Sequence, residues 1–224
     1  NIKAMNGEGL VFADTTVWET ALYAFIQQEI FEKLTLNAGF RLEHSNVYGN
    51  EPVPTGGLAY RATSTTTIKA SVAKGFRSPT IRELYLWGLA PDLKPERVVN
   101  YEAGILQKFM KNKLTLELTG FHAEGSNMIV TGSGGIKYEN TGEFSNTGIE
   151  FLGNYNPSEF LSFTANYSYI ALEKDVVATP EQQLFASCTY TWKKLRVNFS
   201  LQHIEGLYTQ VAPVKIKDNF TLLN

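Results

Sequence analysis

Apolar and polar residues alternate with a period of two along most of the chain. The clearest run is 34–43, LTLNAGFRLE, in which apolar side chains occupy nearly every second position. Successive side chains of a β-strand point to opposite faces, so this run predicts a strand with one apolar and one polar face. The same alternation recurs at 101–109, 161–169, 184–192 and 195–202. We therefore predict an all-β protein with antiparallel strands.

The connections between the predicted strands alternate between short and long. Tight turns are expected near positions 29–33, 61–65, 111–113, 156–159 and 193–194. Longer loops are expected near positions 45–53, 74–100, 131–146, 173–183 and 204–218. They delimit about ten strands and part of an eleventh. Outer-membrane barrels have short periplasmic turns and longer extracellular loops, so the pattern predicts part of an up-and-down transmembrane β-barrel.

The composition of the two predicted faces favours the same architecture. Thr, Ser, Asn, Gln and Gly predominate on the polar faces, which suits a water-filled lumen. Five aromatic residues fall near strand ends and suit an interfacial girdle: Phe31, Tyr60, Phe109, Phe160 and Trp192. The alternative is the core of a soluble β-sandwich, but strands near ten residues long would make an unusually tall core.

The longest segment without strand alternation runs from Lys74 to Asn100. It carries too much apolar surface for a solvated linker, and long loops in compact domains are usually functional. Five residues in it are candidates for contacting a ligand through charge or aromatic stacking: Arg77, Arg82, Glu83, Tyr85 and Trp87. The alternative is that its large apolar residues pack the loop against its neighbours, namely Phe76, Leu84, Tyr85 and Trp87.

Three motifs in and after this segment, KGFRSPTIRELY, PDLKPE and NYEAGI, resemble the barrel of TonB-dependent outer-membrane receptors. The resemblance implies that 1–224 is one partial domain of a barrel of about 22 strands. It places an N-terminal plug, its energy-coupling box and a terminal hairpin outside this sequence. It also implies a location in the bacterial outer membrane and contact with outer-membrane lipid.

The function implied by the resemblance is active, TonB-energised uptake of a scarce nutrient such as a ferric chelate, haem or cobalamin. The partners would be this small-molecule ligand and the TonB complex, reached through the plug. Two other functions remain open. One is a non-transporting outer-membrane barrel, such as an adhesin or structural barrel, and the other is a soluble carbohydrate-binding β-domain.

Charge and reactive residues exclude several other functions. A net charge of −2 offers no basic field for nucleic acid, and the single Cys188 forms no disulfide or metal motif. The chain has no catalytic motif, so we predict no enzyme, no cofactor and no metal site. His44, His122 and His203 would have to meet in space to bind a metal or haem, and separate polar positions are favoured because their spacing fits no metal motif.

Overall fold

A computed structural model of the protein describes residues 2–5, 11–85, 90–131, 137–175, 177–211 and 214–224. The strands are β1 (Ile2–Met5), β2 (Val11–Thr15), β3 (Glu19–Ile30), β4 (Leu34–Ser45), β5 (Gly49–Arg61), β6 (Thr66–Arg77), β7 (Glu96–Phe109), β8 (Leu114–Thr131), β9 (Tyr138–Ser158), β10 (Leu161–Ala171), β11 (Gln182–Trp192), β12 (Leu195–Gln210) and β13 (Ile216–Leu223). One short helix, α1 (Ile81–Tyr85), lies between β6 and β7. Nowhere in these ranges is a helix long and apolar enough to cross a membrane.

Strands β3 to β13 form one antiparallel sheet in which each strand pairs with the next along the chain. The eleven strands coincide with the ten and the partial eleventh expected from the alternation, so the up-and-down β fold is confirmed. In the described part of the chain β3 pairs only with β4 and β13 only with β12, which leaves the sheet open. The first two strands, which the alternation did not predict, form a separate two-stranded sheet.

The register places the predicted apolar and polar positions on opposite faces of the sheet. Leu36 lies opposite Leu58, and Ile105 lies opposite Leu118, all on the apolar face. This face is open to the surroundings, as the 78% exposure of Leu22 shows. A soluble sandwich would bury this face against a second layer. Such a wide apolar band on an elongated sheet suits contact with lipid hydrocarbon.

The tight turns occur where they were predicted, but the long loops are shorter than predicted because the strands continue into them. The predicted loop 45–53 is reduced by β5, which begins at Gly49, and the loop 131–146 is reduced by β9, which begins at Tyr138. The remaining loops are shortened in the same way: β6 ends at Arg77 and β7 begins at Glu96, β11 begins at Gln182, and β12 continues to Gln210. At this end of the sheet the regular alternation of apolar and polar residues is interrupted, as at Pro52 and Pro54 of β5, so the sequence pattern does not mark where the ladder ends.

Two prolines in β5 show how a proline-containing segment still forms a strand. Pro52 and Pro54 lie opposite Leu42 and Phe40 of β4, but β6 pairs with β5 only from Thr55 onward. The proline nitrogens, which lack a proton, can therefore face the side where β5 has no partner, as prolines in strands require. Strands β5 and β6 stop pairing at this point: Gly49–Pro54 of β5 and Lys74–Arg77 of β6 are not hydrogen-bonded to each other.

The five aromatic residues predicted at strand ends all lie at the tight-turn end, and all are exposed. The opposite end carries the buried apolar cluster of the described residues, which is formed by Leu84, Ala90 and Leu93. This cluster is formed by the described residues between β6 and β7, namely 78–85 and 90–95, and not by residues between two sheets. These residues therefore form the candidate site.

Candidate ligand-binding loop

The loop between β6 and β7 is started by a capping box around α1. The backbone N–H of Thr80 donates to Glu83 Oε2 at 2.7 Å, and the N–H of Glu83 donates to Thr80 Oγ1 at 3.3 Å. Reciprocal bonds of this kind satisfy backbone groups that the first helical turn leaves without partners. The Thr80-x-x-Glu83 sequence therefore fixes where the helix begins.

The loop is anchored from below by apolar packing. Leu84 is 1% exposed and forms the buried cluster with Ala90 and Leu93. The side chains packed against this cluster come from the loop itself, the β4–β5 turn and the β8–β9 hairpin: Tyr85, Val47, Ile129 and Tyr138. Leu84 and Tyr85 thus pack the loop against its neighbours, as one of the two predictions for these residues states.

Arg77, at the end of β6, joins the helix to the first residue of β7. Its Nη1 and Nη2 each donate to Glu83 at 3.0 Å, and its Nε donates to Glu96 at 2.5 Å. The other oxygen of Glu96 accepts from the backbone N–H of Ile129 at 2.8 Å. Charge-assisted bidentate contacts are among the strong hydrogen bonds of proteins, so β6, α1, β7 and β8 are held together through one guanidinium.

The two carboxyls bound by Arg77 lie beyond the apolar band, and both are held ionised. Burial raises the pKa of Glu83, but the hydrogen bonds from Arg77 and Thr80 outweigh it and bring the pKa below its usual range. For Glu96 the hydrogen bond from Arg77 has the largest effect, and together with the Ile129 N–H it lowers the pKa against the opposing effect of burial. Arg77, Glu83 and Glu96, which we call the clamp, are therefore all charged at neutral pH.

A second ion-pair cluster bridges the division between β5 and β6. Glu51 is 1% exposed and accepts from Arg97 Nε at 2.9 Å and Nη2 at 2.7 Å, while Lys74 Nζ lies 2.6 Å from Oε1. Two cations on one buried carboxylate leave it fully compensated, as a buried charge requires. The cluster replaces the backbone ladder that β5 and β6 lack at this level.

Tyr48 connects the β4–β5 turn to the start of the loop. Its hydroxyl lies 3.0 Å from Glu19, 3.1 Å from Glu43 and 3.1 Å from Ser78 Oγ. Burial raises the pKa of Tyr48, Ser78 lowers it, and the two carboxylates raise it further, so that it stays well above its ordinary value. The phenol therefore remains a hydrogen-bond donor. Glu43 also pairs with Arg41.

Asn140 attaches the far end of the loop to the β8–β9 hairpin. Its Oδ1 accepts from the Lys94 N–H at 2.7 Å, and its Nδ2 donates to the carbonyls of Lys94 at 2.9 Å and Asn127 at 2.7 Å. Asn127 has a left-handed backbone, with φ of 56°, at the irregular part of β8. One amide side chain thus satisfies three backbone groups on two segments.

The predicted contact residues divide into two sets. Arg77 and Glu83 bind each other within the clamp, whereas Arg82 is exposed and Tyr85 is half-buried against the apolar cluster. Trp87 lies outside the described residues. Residue-type reasoning missed Glu51, Lys74, Glu96, Arg97 and Asn140 as members of the network. Lys74, Glu96 and Arg97 do stand in or beside the motifs KGFRSPT and LKPE, but sequence alone does not show which acid meets which base.

The three histidines are not brought together. His44 lies on β4, His122 on β8 and His203 on β12, so three strands separate each from the next in the sheet. Each ring Nδ1 has its own neighbour: Asn50 at 2.7 Å, Thr147 at 2.9 Å and Thr221 at 2.8 Å. Throughout the described ranges, no group of three or more His, Cys, Asp or Glu side chains is placed to hold a metal ion.

The largely polar face of the sheet forms a wall that carries an open, shallow cavity of about 500 Å³. The cavity is lined by Leu152 and Phe185 and by carboxylates and amides that include Glu117, Glu150, Asn166, Gln183 and Gln202. These side chains come from β8 to β12, so the wall spans neighbouring strands. It provides hydrogen-bonding groups along the concave face, as expected for the wetted interior of a barrel.

Comparison with known proteins places the chain in one family. Residues 2–222 match the family model described as "TonB dependent receptor-like, beta-barrel". The iron-regulated outer membrane virulence protein of Vibrio cholerae serotype O1 is 32% identical over 120 residues, which cover 48% of this chain and 18% of that protein. The vitamin B12 transporter BtuB of Photobacterium profundum is 24% identical over 225 residues, covering 94% of this chain and 36% of the transporter.

Solved structures give the same fold. The siderophore receptor PirA from Pseudomonas aeruginosa has a TM-score of 0.76 at 20% identity, covering 92% of this chain and 39% of PirA. A mutant of the ferric enterobactin receptor PfeA from Pseudomonas aeruginosa has a TM-score of 0.78 at 18% identity, covering 99% of this chain and 39% of PfeA. The chain therefore spans well under half the length of these relatives.

Proposed function

Because the chain belongs to the family of TonB-dependent receptor-like β-barrels, we propose that it forms the wall and part of the extracellular surface of a receptor that imports a scarce nutrient. The chain is an outer-membrane β-barrel segment, and this location excludes a soluble carbohydrate-binding domain. Family members are transport receptors rather than enzymes. Uptake energised by TonB is the mechanism that the family implies for the full-length protein.

The observation that carries the proposal is the anchoring of residues 78–85 and 90–95 by the ion pairs of Arg77, a capping box, an apolar core and the hydrogen bonds of Asn140. A loop at a barrel mouth that only connected strands would not need four separate anchors. Pre-ordering a binding surface lowers the conformational entropy lost when a ligand binds. The anchoring therefore supports a ligand-presenting surface, and it favours a receptor over a structural barrel.

We assign different roles to the five candidate residues of this loop. Arg77 and Glu83 hold the loop in position through their mutual bidentate contact. Arg82, exposed on α1, would contribute charge to a ligand, and Tyr85 and Trp87 would contribute aromatic surface. These residue types suit an anionic, ring-containing ligand, because Arg pairs with anionic oxygens and aromatic side chains stack on planar groups.

For the ligand we favour a ferric chelate. The names of the relatives include siderophore and ferric enterobactin receptors and an iron-regulated protein, while cobalamin is the alternative through BtuB. The plug and coupling box would belong to the full-length protein, together with a terminal hairpin. Through the plug the receptor would engage the TonB complex.

Deleting the full-length gene in the source bacterium tests this function. Under iron limitation, we expect the deletion strain to lose growth on at least one ferric chelate given as sole iron source, and the restored full-length gene to recover it. Cobalamin-dependent growth is measured in parallel, because loss of that growth alone would replace the ferric chelate with cobalamin. Unchanged growth on every chelate and on cobalamin would favour a non-transporting barrel.

A binding measurement on purified full-length receptor then tests the assigned residues. Arg82→Ala should weaken binding of the active chelate by about tenfold, since a charge-assisted contact contributes roughly 1.5–3 kcal/mol. Lys137→Ala, which removes a basic side chain from another exposed position at the loop end, serves as the matched control and should bind as the unchanged receptor does. Equal affinity of both variants would remove Arg82 from the ligand site.

A further inference from the structure

Charged side chains are distributed unequally between the two ends of the sheet. The tight-turn end carries eight exposed basic side chains: Lys33, Arg61, Lys108, Lys111, Lys113, Lys193, Lys194 and Arg196. The same end carries three exposed acidic side chains: Glu29, Glu32 and Glu159. The net charge of the chain is nevertheless −2, so acidic residues are in excess elsewhere. The small net charge thus conceals one strongly basic end.

Five of these basic residues lie in or beside the turns themselves, and we call them the basic rim: Lys33, Lys111, Lys113, Lys193 and Lys194. Arg61 pairs with Glu29, and among the described residues this is the ion pair found at the tight-turn end. Lys113 Nζ donates to the carbonyl of Pro157 at 2.8 Å, which leaves its charge without an acidic partner. The rim therefore presents uncompensated positive charge.

Large apolar side chains accompany the rim in the same turns. Phe31 is 91% exposed, Met110 is 62% exposed and Trp192 is 51% exposed. Lys193 Nζ lies 5.0 Å from the centre of the Trp192 ring, so a cation and an aromatic ring share one position. Side chains that combine an apolar body with a charged or polar tip suit the boundary between hydrocarbon and headgroups.

The backbone of these turns supports a role for the side chains. Phe31, Met110, Lys111 and Lys193 have φ between 51° and 56°, the left-handed region that favours glycine. Tight hairpins usually place Asn or Gly at such positions. Asn112 fits this preference, but two apolar and two basic residues, and the acidic Glu32 with φ of 59°, occupy such positions here at a conformational cost. The apolar and basic side chains therefore contribute something that the turn itself does not require.

We propose that the basic rim binds the anionic headgroups of phospholipids in the periplasmic leaflet of the outer membrane. Short turns of outer-membrane barrels face the periplasm, so the rim lies at the headgroup level of that leaflet. Clustered lysines next to a membrane attract acidic lipids, and the neighbouring aromatic rings insert at the same depth. The inference rests on the family and on the turn geometry, and it is independent of which nutrient is imported.

Native mass spectrometry of the full-length receptor, titrated in detergent with phosphatidylglycerol or with phosphatidylcholine of matched chains, tests the rim. The rim variant carries Lys111→Gln, Lys193→Gln and Lys194→Gln. The control carries Lys94→Gln, Lys137→Gln and Lys174→Gln, which remove the same charge from exposed positions at the loop end. Each variant is checked for a folded barrel by comparing its gel migration with and without prior heating.

The unchanged receptor and the control should retain about fivefold more phosphatidylglycerol than phosphatidylcholine, and the rim variant should lose most of this preference. Raising the salt to 0.5 M should abolish the preference, because the Debye length at that ionic strength is about 4 Å and exposed charges no longer attract each other beyond it. Two results would overturn the proposal. One is equal retention of both lipids by the unchanged receptor, and the other is an equal loss of preference in the control and rim variants.

Discussion

At the scale of single residues, the loop end depends on a few buried carboxylates. Glu51 has two cationic partners and is almost fully buried, while its partners are partly exposed at 17% for Lys74 and 38% for Arg97. Removing one member of a buried ion cluster leaves the others uncompensated, which destabilises more than the pair itself stabilised. The exposure of Arg97 reduces the effect, because water screens that side of the cluster.

Glu51→Gln should therefore lower the free energy of unfolding of the full-length receptor by about 2 kcal/mol. Denaturant titration in detergent, followed by tryptophan fluorescence, measures it. The exposed Glu139→Gln removes the same charge at the same end of the sheet and should change stability by less than about 0.5 kcal/mol. Equal effects of the two substitutions would show that the cluster contributes only net charge.

The clamp formed by Arg77 should make the loop sensitive to acid. The folded pKa values of Glu83 and Glu96 lie below the unfolded value of about 4.3, so their contribution to stability is present above that pH. It is lost as the pH falls through the folded pKa. Amides of 80–85 should therefore lose protection below about pH 4 in hydrogen exchange, after correction for the intrinsic rate.

Glu83→Gln is the control for this acid sensitivity. A neutral amide keeps part of the capping box but cannot form the ion pair with Arg77, so the variant should be less protected at pH 6. It should also respond less to acid, because one of the two titrating carboxyls is gone. An identical pH response in the variant and in the unchanged receptor would show that other groups control the loop.

At the scale of secondary-structure elements, the loop is attached to a neighbouring hairpin through Asn140. Asn140→Ala removes three hydrogen bonds to the backbone of Lys94 and Asn127. Amides of 92–94 should exchange at least about tenfold faster, because local opening becomes easier by roughly the net contribution of these bonds. The adjacent Glu139→Ala should leave the exchange of 92–94 unchanged. Similar exchange in the two variants would mean that the apolar cluster alone holds the loop.

The strands were predictable wherever apolar and polar residues alternate, because one face is then apolar and the other polar. The alternation at 34–43 marks β4 directly, and the short turns follow from it. Prediction failed where the alternation is interrupted: the extension of β5 through Pro52 and Pro54, and of β9 back to Tyr138, has no clear period-two signal. The pairing of these extended strand ends is determined by the neighbouring strand. The local sequence pattern carries no information about that neighbour.

The sequence identified the segment that carries the candidate site but not the contacts within it. The apolar content of the segment after Lys74 identified the loop, and Arg77 and Glu83 are in contact although they lie six positions apart. Arg97 lies 46 residues from Glu51, and Lys94 lies 46 residues from Asn140. Which acid meets which base at such separations depends on strand order, and a single sequence does not specify it.

At the scale of the whole molecule, the two ends of the sheet differ in every respect that bears on function. The loop end carries an anchored surface above a hydrophilic wall, and the turn end carries basic and aromatic side chains at short hairpins. A barrel segment oriented in this way presents its ordered surface to the exterior and its rim to the periplasm. This orientation is consistent with the active import proposed for the full-length receptor.

Energy-dependent uptake by living cells tests active import most directly. Cells expressing the full-length receptor are given a radiolabelled ferric chelate that supports their growth, with and without collapse of the proton-motive force. We predict that surface binding persists in both conditions, whereas transfer into the cell stops when the force is collapsed. Uptake that continues unchanged without the proton-motive force, or that matches cells lacking the receptor, would contradict active import.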